Sequence, residues 1–273
     1  MLDILKRLVA FIMMRKIQKL FQIAITDEPV RTEDWSSGFK MNVESFKSNY
    51  PDADYYLYQD SDLRKFLSDN FDADVVETYH KLKPYAFKAD LARYCLLYIY
   101  GGLYSDLSHL HISPIQPDEN TGMVVFRDIA GHPSWAVSNA VIYSEPGRKE
   151  LKYAINMIVN HAAVNFYGDS CLDISGPYLF GRALAEVNNY KDIVFGDSRE
   201  LTPNRAENRN IYKMLPGGDL IAFRNKKDGG QIADYGVKGA NNYAEMWNQR
   251  QVWAEKGAFD ALLQMIKPVI GFK

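Results

Sequence analysis

Asp90, Arg93 and Asp106 have the residue types and spacing that chemistry needs, and all three fall in one stretch, Lys88–Ser108, KADLARYCLLYIYGGLYSDLS. Two carboxylates and a guanidinium lining one cleft would handle charge. A carboxylate can hold a divalent cation by oxygen ligation, and an ion on a buried element needs a partner because an unpaired charge away from water is costly. A pair of acids could also serve glycoside hydrolysis, which requires two carboxylates flanking a bond at defined separation. The sequence offers many acids and marks no such pair.

The elements around these residues must bring them together. The apolar run reads as a helix that starts near Pro84, tolerated in a first turn, and ends at Tyr100, where Gly101-Gly102 supplies a stop. Phe87, Leu91, Tyr94, Cys95 and Tyr98 recur at helical spacing, and Leu96, Leu97, Ile99 and Tyr100 fill most other directions, so the helix is buried. Asp90 and Arg93 share one side of it at i, i+3. From Asp90 to Tyr100 the helix climbs ~15 Å at ~1.5 Å per residue, and a strand from Leu103 to Asp106 returns ~10 Å at ~3.3 Å per residue. If the Gly-Gly turn reverses the chain, Asp106 arrives level with Asp90 and Arg93. Taken one at a time, the residues are explained better by a local Asp90–Arg93 pair worth ~0.2–0.5 kcal/mol and an Asp106 that caps a turn.

Their order tips the balance. Asp90-Leu91-Ala92-Arg93-Tyr94, an apolar helix, and Gly101-Gly102-Leu103-Tyr104-Ser105-Asp106-Leu107-Ser108 follow one another. This string resembles the DXD-containing region of the family 32 glycosyltransferases, where Asp-x-x-Arg-Tyr, an apolar helix, Gly-Gly-x-Tyr and Asp-x-Asp follow in that order. Ser108 departs from the pattern, standing where the second Asp, the usual direct metal ligand, would be. The resemblance implies an α/β fold: a single-domain GT-A type nucleotide-sugar-binding fold with a mostly parallel central sheet flanked by helices. It also implies transfer of a sugar from a UDP- or GDP-sugar to a hydroxyl of a glycan or lipid-linked acceptor, with retention of anomeric configuration. The product would be a surface glycan such as a capsule or lipopolysaccharide.

The same resemblance assigns roles to residues. Asp90 and Arg93 fall to the donor's sugar hydroxyls and phosphate, Asp106 to ribose and metal, and Tyr104 to the pocket wall; Tyr94 and Gly102 belong to the same donor-binding string. Asn139, in the strand Trp135–Tyr143, is a donor and acceptor for sugar hydroxyls. Gly176, in Ser175-Gly176-Pro177, opens a helix whose backbone amides border the donor pocket and suit an anion. Trp247 would close over the donor, although the family's His and Ser before that Trp are not evident, and a core role for Trp247 is as good a reading. The cofactor implied is a divalent cation, Mn²⁺ or Mg²⁺, held by Asp106 with Ser108 as a neutral ligand and His109 as a replacement. Ser108 leaves two alternatives open: a degenerate protein that binds a nucleotide-sugar or glycan without transferring it, and a metal-independent transferase of the same fold.

The rest of the chain bounds these readings. With 273 residues, 47% hydrophobic and 13% aromatic, there is material for one large core, and no low-complexity linker divides the chain. A net charge of −2 excludes a general nucleic-acid binder, which needs a basic face. Two cysteines, one of them in the apolar helix, read as reduced thiols. Residues 1–16 are apolar with basic flanks and too short to span a bilayer, without a cleavage site for a signal peptide. They form either a helix packed on the transferase domain, residues 17–273, or an interfacial helix on a membrane, which implies a cytoplasmic protein or one associated with the cytoplasmic face of a membrane. Ile17–Ile23 reads as a first strand resembling the family's opening element, with Gln18 and Gln22 in place of its Pro and His. A helix and strand follow over 40–60, a helix over Ser61–Asn70, a strand over Gly122–Phe126, a helix from Ser144 to about Val164, and strands over Ile193–Arg224.

Overall fold

The computed structural model describes residues 14–200, 211–224 and 241–255. The alternation of side chains along its strands sets the architecture. Strand residues one apart point to opposite faces, and here they divide between two cores. Phe21, Tyr104, Met123, Val125 and Ile142 face one, while Leu20, Leu103, Val124, Phe126, Val141 and Tyr143 face the other.

Nine strands form one sheet: β1 (Lys19–Ile23), β2 (Asp54–Tyr58), β3 (Gly102–Ser105), β4 (His109–His111), β5 (Met123–Arg127), β6 (Val137–Ser144), β7 (Ile193–Glu200), β8 (Ile211–Met214) and β9 (Leu220–Arg224). Their order is β2-β1-β3-β6-β5-β7-β8-β9-β4. The α/β class stands, but the sheet is mixed rather than mostly parallel. The β1/β2, β1/β3 and β5/β7 pairs are parallel, and the other neighbours run antiparallel. One antiparallel neighbour pair, β8 and β9, is joined by a short loop, which a parallel pairing would not allow.

Seven α-helices are described: α1 (Ser37–Ser48), α2 (Asp60–Asn70), α3 (Ala73–Lys81), α4 (Tyr85–Tyr100), α5 (Lys149–Ala163), α6 (Pro177–Val187) and α7 (Tyr243–Asn248). Helix α4 is the apolar helix of the sequence. Pro84 is its N-cap and Gly101, at φ +61°, its C-cap. Ten of its residues from Phe87 to Leu97 are buried, Lys88, Asp90 and Arg93 among them. It lies against β1, β3 and β6 in the larger core with α2, α3, α5 and α6, while α1 covers the opposite face.

The Gly101-Gly102 turn does reverse the chain, for a steric reason. Gly102 has φ +107°, and a Cβ there would lie 2.6 Å from the Lys19 carbonyl oxygen, so only glycine lets β3 close on β1. Residues 1–13, most of the predicted N-terminal segment, lie outside the described residues. Its end is fastened to the domain: the Arg15 amide donates to the Pro117 carbonyl at 2.8 Å, and Arg15 pairs with Glu145. No described helix is long and apolar enough to cross a membrane.

Candidate active site

Asp106 follows β3 by one residue and shares the face of Tyr104, two positions earlier. That parity turns it toward α4. Arg93 Nη1 lies 3.0 Å from Asp106 Oδ1 and Nη2 lies 3.3 Å from Asp90 Oδ1. The three residues that the spacing suggested are therefore one cluster, and Arg93 is its centre. Arg93 also donates from Nε to the Ala89 carbonyl and from Nη1 to the Asn139 carbonyl, and its guanidinium lies 4.5 Å above the Tyr104 ring. A buried guanidinium with its donors committed in this way fixes both carboxylates.

The two carboxylates differ in access. The Asp90 side chain is only 10% exposed and accepts hydrogen bonds from Asn139 Nδ2 at 2.8 Å and Ser175 Oγ at 2.7 Å. The Asp106 side chain is 33% exposed. Its Oδ1 accepts the Tyr104 hydroxyl at 2.8 Å, and its Oδ2 has no partner among the described residues. Asp106 is thus the carboxylate that a ligand reaches most easily. Burial raises the Asp90 carboxyl to about 6 against the pull of Arg93. Burial also works against the charge of Arg93, but Asp106, Tyr104 and Asp90 hold it protonated above its ordinary range.

These residues open onto a cleft of about 750 Å³, large enough for a nucleotide-sized ligand. Asp90, Arg93, Asp106, Ser108, His109, Asn139 and Gly176 all line it. Gly176 caps α6, and a Cβ there would stand 3.7 Å from Asp90 Oδ2. Four further sequence candidates take other places. Tyr94 is buried beneath the cluster, receiving a hydrogen bond from Asn139 Nδ2 and donating to the Ser175 carbonyl. Tyr104 likewise supports Asp106 from below. Gly102 serves the β1–β3 contact. Trp247 stands outside the cleft and donates its indole N–H to the Tyr167 carbonyl at 2.7 Å, so the core reading fits its surroundings; Tyr243, one turn earlier on α7, lines the cleft instead.

Sequence reasoning missed the far wall. Lys213 on β8, Arg224 on β9, and Asp128 and His132 after β5 all line it. Lys213 is 2% exposed, and its burial follows from the pairing of β8 in the sheet, for which the sequence offered no signal.

The donor set suits a divalent cation of one kind. Among the described residues no group of three or more His, Cys, Asp or Glu is placed to hold a metal. One open oxygen of Asp106 and the Ser108 hydroxyl fit a hard cation that takes most of its ligands from bound phosphates and water. The ring nitrogens of His109, both buried without a partner, face no competing donor, and burial keeps this imidazole neutral, the form that ligates.

Residues 36–123, which carry α1 through the cluster to the start of β5, match the family model described as glycosyltransferase sugar-binding region containing DXD motif. Over these residues the chain is similar to that family. The glycosyltransferase relatives agree. An uncharacterized glycosyltransferase of Acanthamoeba polyphaga mimivirus is 40% identical over 168 residues, 60% of this chain and 65% of the relative. The inositol phosphoceramide mannosyltransferase of Schizosaccharomyces pombe is 30% identical over 107 residues, 38% of this chain and 32% of the relative. The initiation-specific alpha-1,6-mannosyltransferase of Saccharomyces cerevisiae is 32% identical over 93 residues, 32% of this chain and 19% of the relative. The chain spans less than two thirds of each of these relatives. Asp106-Leu107-Ser108 falls inside the matched residues.

Proposed function

We propose that this chain is a glycosyltransferase of GT-A type that moves a sugar from a nucleoside diphosphate sugar to an acceptor hydroxyl. The observation that carries this reading is the Asp90–Arg93–Asp106 cluster at the floor of the cleft, inside the segment that matches the sugar-binding region. A glycosyl donor already holds its leaving group. The protein must place it, meet the charge that develops on the diphosphate, and orient the acceptor.

Asp90 and Asn139, held by Ser175, Tyr94 and Arg93, present fixed acceptors to sugar hydroxyls, the Asn139 amide N–H groups being committed to Asp90 and Tyr94. Asp106, the more exposed of the two carboxylates, serves ribose and phosphate. Asp106, with Ser108 and His109 beside it, would hold a divalent cation, which supplies Lewis-acid charge to the leaving diphosphate when bound. Attack from the face that the leaving group departs retains the anomeric configuration and needs no protein nucleophile. The electron pair of the broken bond stays on the phosphate oxygen, which takes the acceptor's proton. Mannosyl transfer is the class suggested by the names of the yeast relatives, one of which is named for inositol phosphoceramide.

The test is thermal-shift screening against UDP-, GDP- and other nucleotide-sugars, with and without Mn²⁺. A ligand at ~100 times its dissociation constant adds ~2.7 kcal/mol, so one donor should raise the melting temperature by several degrees. No response to any donor would overturn the reading. Ser108 favours a second reading, a protein that binds the donor without transfer; donor hydrolysis without acceptor separates the two, since a binding protein shows none.

The raised Asp90 carboxyl also gives the site a pH signature. Protonation as the pH falls through about 6 removes the charge that pairs with Arg93. Donor affinity should therefore fall with an apparent midpoint near pH 6, whereas stability responds in the opposite sense. Because the folded state favours the proton, this group's stabilising contribution is complete below 3.8 and lost as the pH rises through about 6. Calorimetric titration of the donor from pH 5 to 8 measures the first effect, and an affinity that does not change across that range would contradict it.

A further inference from the structure

Lys213 is a buried ammonium with no carboxylate at ion-pair distance among the described residues. Its Nζ donates to Ser138 Oγ on β6 and to Ser198 Oγ on β7, each at 2.6 Å. An ammonium has three N–H donors, and the third has no acceptor among the described residues. No described carboxylate lies within ion-pair distance of it. Asp106 and Asp128 are near enough to favour its charge, but Asp106 pairs with Arg93, and Asp128 Oδ2 is turned to His132 Nδ1 at 2.8 Å rather than to the ammonium.

A buried charge left without an opposite one is costly. The two serines hold the ammonium in place but do not neutralise it. Burial lowers its pKa to about 8, so the charged form still prevails at neutral pH. The other cations of the cleft are differently situated: Arg93 already serves two carboxylates and two carbonyls. Lys213 lines the same cleft as Asp106 and Ser108, which puts a fixed positive charge beside a motif that has lost one of its negative ones.

We propose that Lys213 binds the diphosphate of the donor directly, and that its charge holds a nucleoside diphosphate in this cleft without a metal ion. The assignment rests on the glycosyltransferase reading above and deepens it. Ser138 and Ser198 are positioning residues that aim the ammonium. The diphosphate supplies a counter-ion and accepts the third N–H, and the same contact stabilises the charge the diphosphate gains as it leaves.

Calorimetric titration of the full chain with UDP, GDP and the free nucleosides, in EDTA and in Mn²⁺, tests this. The wild type should bind a nucleoside diphosphate in EDTA. Lys213→Met should weaken that binding by about 30-fold or more, the size expected when one partner of a buried charged contact is removed. Binding of the matching nucleoside, which lacks phosphate, should change little. Ser198→Ala keeps the ammonium but removes one anchor, so a smaller loss in the same direction is expected, and this variant carries the test if Lys213→Met does not fold. Unchanged diphosphate affinity in both variants, or wild-type binding seen only with Mn²⁺, overturns the role of Lys213 and leaves the transferase reading standing. A wild type that binds no nucleotide in either condition overturns both.

Discussion

Asp106→Asn is expected to abolish the proposed sugar transfer, by about a thousandfold or more in kcat, while the protein stays folded. Asparagine keeps an oxygen that can accept the Tyr104 hydroxyl, now 2.8 Å from Asp106 Oδ1, and Arg93 keeps its pairing with Asp90, so the local structure has no reason to collapse. What disappears is a unit charge at the most accessible position of the cluster. At an effective dielectric of ~20, two unit charges ~4 Å apart interact by ~4 kcal/mol before desolvation, which corresponds to about a thousandfold. Single-turnover transfer with the donor found by screening, read beside the melting temperature, checks both halves. Full activity in the variant would remove Asp106 from the reaction.

Arg93→Met has the largest effect on stability, a loss of about 3–5 kcal/mol, the range for breaking a buried pair by deleting one partner. The reason is Asp90. It is buried, and without Arg93 only the Asn139 amide and the Ser175 hydroxyl remain to face its charge. Two controls follow from the same geometry. The loss should shrink at pH 5, where Asp90 takes up a proton because burial sets its carboxyl at about 6. It should also shrink in the Arg93→Met, Asp90→Asn double variant, giving a coupling energy of the kind neighbouring residues show. Urea denaturation at pH 5 and pH 7.5 measures all of it. A loss below about 1 kcal/mol at both pH values would mean that another group holds Asp90, since surface pairs are worth no more than that.

The floor of the cleft was legible in the sequence because it is local. Helix α4, the two glycines and β3 lie within one stretch of chain, and the rises of a helix and a strand were enough to bring Asp106 back to Arg93. Asn139 and Gly176 were found through the resemblance, since nothing in their spacing relates them to α4. The far wall was not legible. Lys213 and Arg224 come to the cleft only because β8 and β9 pair with β7 and with each other, and tertiary pairing of that kind leaves no trace in a single sequence. Trp247 illustrates the converse. A motif suggested a lid and left a core role equally open, and the indole N–H, with its acceptor at the Tyr167 carbonyl, agrees with the core role. The sheet departed from the expected direction for a similar reason: β3 with β6 and β4 with β9 pair antiparallel across long stretches of chain.

The strand order also sets when the cleft can exist during synthesis and refolding. Strand β4 follows closely on the sugar-binding motif, yet its hydrogen-bonded neighbour in the sheet is β9, with His109 opposite Arg224 and His111 opposite Ala222. The floor can therefore form early from contiguous chain, whereas the cationic wall waits for a closure across more than a hundred residues. Contacts so distant along the chain carry a large loop entropy and form slowly. A nascent chain that has emerged only as far as β7 already holds Asp90, Arg93 and Asp106, but not Lys213, so competence to grip a phosphorylated ligand arrives late, with the last strands.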